Sequence, residues 1–244
     1  MKYFLIALQF LTIIPVQIKS RITSTDYTKS LLYFPVVGIL IGAVTVSIMH
    51  IFMPLSHMVA AAVALIVSVV ITGALHLDGF ADTCDGFYGN RTKEEILRIM
   101  KDSHVGAVGA AGIVLLLLFK FTLLISINPH VVWKIIIIST VFSRWSQTLG
   151  CYLSVYARED GKGKLFIGHA RVKDVLIGGL ITLIFSGLLL QIKGVFICLG
   201  GLLCAFLYLQ YAKTKIDGMT GDMVGAMSEI TETSILLLGL LLWN

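Results

Sequence analysis

Long apolar stretches separated by short polar ones dominate this chain. Seven of them, at about 31–53, 57–75, 105–128, 131–153, 175–191, 194–211 and 223–243, have the length to cross a bilayer as helices. The stretch Met1–Val16 is also apolar, but it is short and closed by Pro15, and it lacks the small-residue cleavage pattern of a signal peptide. It reads as a short helix that spans, re-enters or lies at the interface. Linkers such as Met53–His57 and Asn128–His130, with Pro129 between, predict tight helical hairpins. The pattern predicts an all-α, polytopic membrane helix bundle of about seven transmembrane helices plus a short N-terminal apolar helix. A single membrane-embedded catalytic domain over 1–244 is expected.

Composition agrees. Hydrophobic residues make up 57% of the 244 and charged residues only 14%, against about 25% charged in soluble proteins. The four cysteines, Cys84, Cys151, Cys198 and Cys204, form no CxxC pair, and three sit in or beside apolar runs as small hydrophobes. A net charge of +5 without a basic run gives no sign of a nucleic-acid partner.

The basic residues are unevenly shared between the loops. One alternate set holds Lys19, Arg21 and Lys29, then Arg91 to Lys101, then Arg158 to Lys173, then Lys213 and Lys215; the opposite loops hold Lys193 alone. Lys134 lies just inside a segment end. By the positive-inside rule the first set faces the cytoplasm. The polar motifs lie in the same set, so the active face is expected there, in a multi-pass protein of the cytoplasmic (inner) membrane.

The strongest motif is His76-Leu-Asp-Gly-Phe-Ala-Asp-Thr-Cys-Asp-Gly86. Asp78, Asp82 and Asp85 stand at i, i+4 and i+7, one face of a helix. Like charges gathered in an apolar setting repel, and a divalent metal would relieve them. An all-carboxylate ligand set points to a hard ion such as Mg²⁺. Gly79 and Gly86 each follow an aspartate and leave room for close approach to the backbone.

A second motif, Asp217-Gly-Met-Thr-Gly-Asp222 leading to Glu229, enters the last segment. Asp222 and Glu229 share a helix face, and small residues among them suit tight helix packing. Asp222 is a candidate fourth metal ligand, and Asp222 with Glu229 are candidates to complete the metal site or orient an attacking hydroxyl. Glu229 and Glu232 are ionisable within an apolar helix, where such residues are functional or hold helices together.

Candidates to bind an anionic substrate are Arg98, Ser103 and His104 before the third clear segment, and Arg158 and Lys162 in a small flexible loop. Arg144 lies mid-segment and needs an anion, either an acidic-motif carboxylate or a substrate phosphate. His76 and His104 flank the acidic block as a candidate base or phosphate contact. Lys120, also intramembrane, is expected to snorkel outward. Together these groups suggest metal-assisted phosphoryl or nucleotidyl transfer on an amphiphilic substrate.

HLDGFADTCDG, with RIMKDSHVGAVG, the loop Ala157–Gly163, TGDMVGAMSE and the early QFLTIIPV, resembles the cobalamin synthase family across essentially the whole chain. The resemblance implies a late step of vitamin B12 assembly. α-Ribazole or its 5′-phosphate attacks the phosphate on the cobinamide side of adenosylcobinamide-GDP, and GMP leaves, with Mg²⁺ as cofactor. From the residues themselves, His76, Asp82, Asp222 and Glu229 are the candidate catalytic groups, and a homo-oligomer or a complex with other cobalamin-assembly enzymes is the expected partner state.

Two other readings compete. A CDP-alcohol phosphotransferase uses similar spaced aspartates but places Arg after the alanine, where this chain has Asp82. An ion-coupled transporter would need inverted repeats and broken helices at mid-membrane, whereas these acids gather at one face.

Overall fold

A computed structural model describes residues 1–243 as an all-helical bundle; among them no strand occurs, only one isolated bridge between Tyr156 and Met219. The ten α-helices run α1 Lys2–Leu11, α2 Ser24–Ser30, α3 Phe34–Phe52, α4 His57–Ile71, α5 Leu75–Phe87, α6 Lys93–Ile99, α7 Ala107–Ser126, α8 Val132–Leu153, α9 Val172–Ile216 and α10 Gly221–Trp243.

Four helical stretches are long and apolar enough to cross a membrane: Ser24–Phe52, Ala107–Ser126, Val172–Ile216 and Gly221–Trp243. The pair α4 and α5 joins them only when taken together, and the two are bent by 87° at the break. That turn sets α5 nearly at right angles to α4. The expected count of seven spans is therefore not reproduced by length and hydropathy, which give four or, with the bent pair, five. Two causes account for the difference. The helix α8 is 22 residues long but carries Arg144, Gln147 and several hydroxyls, which lower its hydropathy. The helix α9 contains a reversal, so one stretch holds two arms.

The reversal lies at Gln191, with φ 53° and ψ −137°. Cys198 donates from Sγ to Ser186 Oγ at 3.2 Å, although twelve residues of straight helix would span roughly 18 Å. Gly194 packs directly on the Ser186 backbone, where a side chain has no room. The arms 172–190 and 192–216 therefore fold back on each other, matching the two adjacent segments expected from the pattern.

The hub is α8, buried nearly all round and packed between α3, α9 and α10. Its contact with α3 is very close: a Cβ on Gly38 would lie 2.6 Å from the Thr140 carbonyl, and Thr140 Oγ1 donates to Gly38 O at 2.9 Å. Small residues one turn apart allow backbones to approach where lipid offers no competing hydrophobic force. The N-terminal α1, ten residues long, is too short to span. It buries Ile6, Ala7, Leu8 and Leu11 in the core, and Lys2 anchors it to Asp26 at 2.7 Å.

Candidate active site

Where α5, α10 and the segment between α8 and α9 converge, a cavity of about 240 Å³ opens. Each element reaches it for a local reason. The chain turns into α5 through Gly73 and Ala74, both with positive φ (58° and 54°), and this sharp step sets His76 and Asp78 at the cavity wall. Thr220 caps α10: its Oγ1 accepts from Met223 N at 3.3 Å. Backbone pairing of Ala157 N to Met219 O (3.1 Å) and Met219 N to Val155 O (3.0 Å) fastens the Arg158 loop to the α10 entrance.

The α5–α10 crossing depends on glycine. A Cβ on Gly79 would meet the Asp222 carbonyl at 2.5 Å, and one on Gly225 would meet the His76 Cα at 3.3 Å. This close approach brings the two acidic motifs together.

Asp78, Asp222, Arg158, Lys162 and His76 all line the cavity. Arg158 donates to Met100 O at 2.9 Å and pairs with Asp222 at 2.8 Å. Asp82 lies one turn along α5 from Asp78. Burial, reinforced by the charges of Asp222 and Asp78 and eased by Arg158, pushes its carboxyl up to about 7. His76 is 3% exposed, and its Nδ1 has no partner.

Four sequence expectations change. Asp85 is turned away from the other aspartates: its two oxygens accept from Gly106 N (2.8 Å) and Gly109 N (2.9 Å), capping the start of α7. Glu229 does not complete the carboxylate cluster, because Lys120 Nζ donates to it at 2.6 Å and to Glu232 at 2.8 Å. Lys120 is 3% exposed and does not snorkel; two carboxylates hold it inside. Arg144 meets neither the acidic motif nor the cavity. It donates to Ser228 Oγ and Ser143 Oγ and lies 3.9 Å from Glu232. Lys120, Arg144, Glu229 and Glu232 thus form a charge-balanced knot within the bundle.

Arg98, Ser103 and His104 are exposed and stand outside the cavity lining; His104 Nδ1 pairs with Asp102 at 2.6 Å. Gln147 of α8, Tyr156, and the rings Phe10, Phe34 and Phe166 do line the cavity and were not expected there. Only the position of Gln147 one turn from Arg144 gave any sequence signal.

Among the described residues, no three Asp, Glu, His or Cys side chains stand together closely enough to clasp a metal alone. The four-carboxylate cage expected from Asp78, Asp82, Asp85 and Asp222 is not formed, since Asp85 caps α7 and Asp222 is paired with Arg158. The remaining oxygen donors, Asp78 and Asp82, are chemically suited to a hard ion but could supply only part of its ligands.

Carboxylates facing cations at one end of an apolar helical bundle mark this as an all-helical membrane protein with a charged cavity. The chain belongs to the cobalamin-5-phosphate synthase family, whose model matches residues 3–241. It is 39% identical to the adenosylcobinamide-GDP ribazoletransferase of Alkaliphilus metalliredigens over 99% of this chain and 96% of that one. The proteins of the same name from Acetivibrio thermocellus and Clostridium acetobutylicum are each 36% identical, covering 98% and 96% of this chain and 97% and 93% of theirs. No solved structure matches it.

Proposed function

We propose that the protein is an adenosylcobinamide-GDP ribazoletransferase of the cytoplasmic membrane, working at the cytoplasmic face. One observation carries the reading: within the matched length, Asp78 and Asp222 share a cavity wall with Arg158 and Lys162. A diphosphate needs both cations for its oxygens and carboxylates for a counter-ion. The loops rich in Lys and Arg, including the one that supplies Arg158 and Lys162, support the inward orientation.

In this reading an acceptor hydroxyl of α-ribazole forms a bond to the phosphorus on the cobinamide side. The bond from that phosphorus to the bridging oxygen breaks, and GMP leaves with its electron pair. His76, which lines the cavity and whose buried Nδ1 has no partner, is the group assigned to take the hydroxyl proton. Arg158, kept in place by Asp222 and Met100 O, and Lys162 hold phosphate oxygens. A Mg²⁺ ion held by Asp78 and Asp82 would neutralise diphosphate charge. The cobinamide tail would rest against apolar helix surface.

The test is GMP release from adenosylcobinamide-GDP by the full-length protein in liposomes, with and without α-ribazole and Mg²⁺. Release that depends on both is expected. Absence of release with both present overturns the proposal.

A further inference from the structure

The cavity has a second wall that phosphate chemistry does not use. Phe10 of α1, Phe34 at the start of α3 and Phe166 before α9 form a cluster of rings lining it. Phe10 and Phe166 have centroids 4.7 Å apart, Phe34 and Phe166 5.9 Å, and Phe10 and Phe34 6.1 Å. Tyr27, which does not line the cavity, packs edge-on against Phe166 at 5.7 Å. Phe34 and Phe166 are buried, so the wall is preformed.

Gln147 belongs to the same wall. Its neighbour Thr148 donates to Leu31 O at 3.1 Å, which fixes α8 beside the chain entering Phe34. One turn beyond Gln147, Cys151 O accepts from Gly168 N at 2.8 Å, which fixes α8 beside the Phe166 segment. Gln147 is 2% exposed and its Nε2 has no hydrogen-bond partner. A buried amide left unpaired is costly, and Gln147 is among the residues that line the cavity.

We propose that Gln147, with the rings of Phe10, Phe34 and Phe166, forms the subsite for the base of the acceptor nucleoside. The ligand class is a flat, largely apolar fused heteroaromatic that presents one free ring nitrogen as acceptor. A benzimidazole-type base joined to its sugar through one nitrogen meets this description. Guanine fits poorly, because its carbonyl, ring N–H and amino groups each demand a partner that hydrocarbon rings cannot supply. The rings give the base an apolar wall, and the amide selects for the nitrogen. The inference rests on the reading of this cavity as the ribazole transfer site.

The experiment uses full-length protein in liposomes with adenosylcobinamide-GDP. Two acceptors are compared: α-ribazole, and the analogue in which CH replaces the free ring nitrogen. The wild type should show a KM for the analogue about tenfold higher. Gln147→Leu should raise the KM for α-ribazole about tenfold, lose the discrimination, and leave the KM for adenosylcobinamide-GDP unchanged. Equal use of both acceptors by the wild type overturns the inference without reference to any variant. An unchanged KM for α-ribazole in Gln147→Leu, or a rise confined to the GDP donor, also overturns it. If the wild type releases no GMP with either acceptor, the proposed function itself falls and takes this inference with it, so the two failures are told apart.

Discussion

Lys120 of α7 and Glu229 of α10, 109 residues apart in the chain, meet at 2.6 Å inside the bundle. Glu232, one turn away, takes a second hydrogen bond from the same ammonium at 2.8 Å. With Arg144 the group sums to zero charge, so it withstands burial where any single member would not. Lys120→Met should destabilise the protein by about 3–5 kcal/mol, because two carboxylates then share Arg144 alone. Adding Glu229→Gln restores neutrality and should recover part of the loss. Thermal unfolding in detergent, compared for the single and double variants, checks this.

The two neighbouring aspartates Asp82 and Asp85 should separate in their effects. Asp85→Ala removes the cap on α7 and should cost about 1–2 kcal/mol of stability, leaving the Mg²⁺ concentration for half-maximal activity unchanged. Asp82→Asn should raise that concentration severalfold or abolish Mg²⁺-dependent transfer with little loss of stability. Melting curves and Mg²⁺ titrations of the two variants form the comparison.

Asp82 also sets a pH dependence. Its carboxyl is raised from 3.8 to about 7 in the fold, so the folded state binds a proton more tightly than the unfolded chain. The contribution favours folding fully below about pH 4 and is lost as pH rises through about 7. Stability without divalent cations should therefore decline across that window, and Asp82→Asn should flatten the decline. Protons also compete with the cation, so the apparent Mg²⁺ affinity should weaken below pH 7. Chemical unfolding and Mg²⁺ titration at pH 5, 6, 7 and 8 measure both effects.

Arg158 joins Asp222 at 2.8 Å and Met100 O at 2.9 Å. Lysine keeps the charge but loses the fork of donors. Arg158→Lys should reduce kcat/KM for the GDP donor by at least about tenfold, with the KM for the nucleoside unchanged. Steady-state GMP release at varied donor concentration is the measurement.

Gly79→Ala should have an effect far larger than one methyl group normally has. The added carbon meets the Asp222 backbone at 2.5 Å, and backbone cannot swing aside. The α5–α10 crossing must widen, separating Asp78 from Asp222. Activity should fall by an order of magnitude or more, while Gly89→Ala, where a Cβ meets nothing within 4 Å, should retain it despite its positive φ. Parallel assays of the two alanines decide the matter.

Much of this was legible along the chain. Apolar runs of span length announce membrane helices because each helix satisfies its own backbone and needs no partner to be recognised. The hairpin between 175–191 and 194–211 is visible for the same local reason. The convergence of HLDGFADTCDG with TGDMVGAMSE was suggested by glycines spaced for close packing. Side-chain partners were less legible. Asp78, Asp82 and Asp85 look equivalent by spacing, yet Asp85 is claimed by the amides of α7, an element whose direction of approach no local pattern encodes. Lys120 has the length to snorkel, and only α10 lying alongside α7 turns it inward.

The sequence by itself determined an all-helical membrane bundle, the family resemblance, and an acidic face with cations in the same set of loops. Those features depend on periodicity, hydropathy and short motifs, which are local. Tertiary structure decided which carboxylates remain available to a ligand, which ones neutralise buried cations, and that Gln147 and three distant phenylalanines share one cavity. Those outcomes depend on distances between helices, and in a bundle a rotation of one helix by a single residue changes every partner it meets.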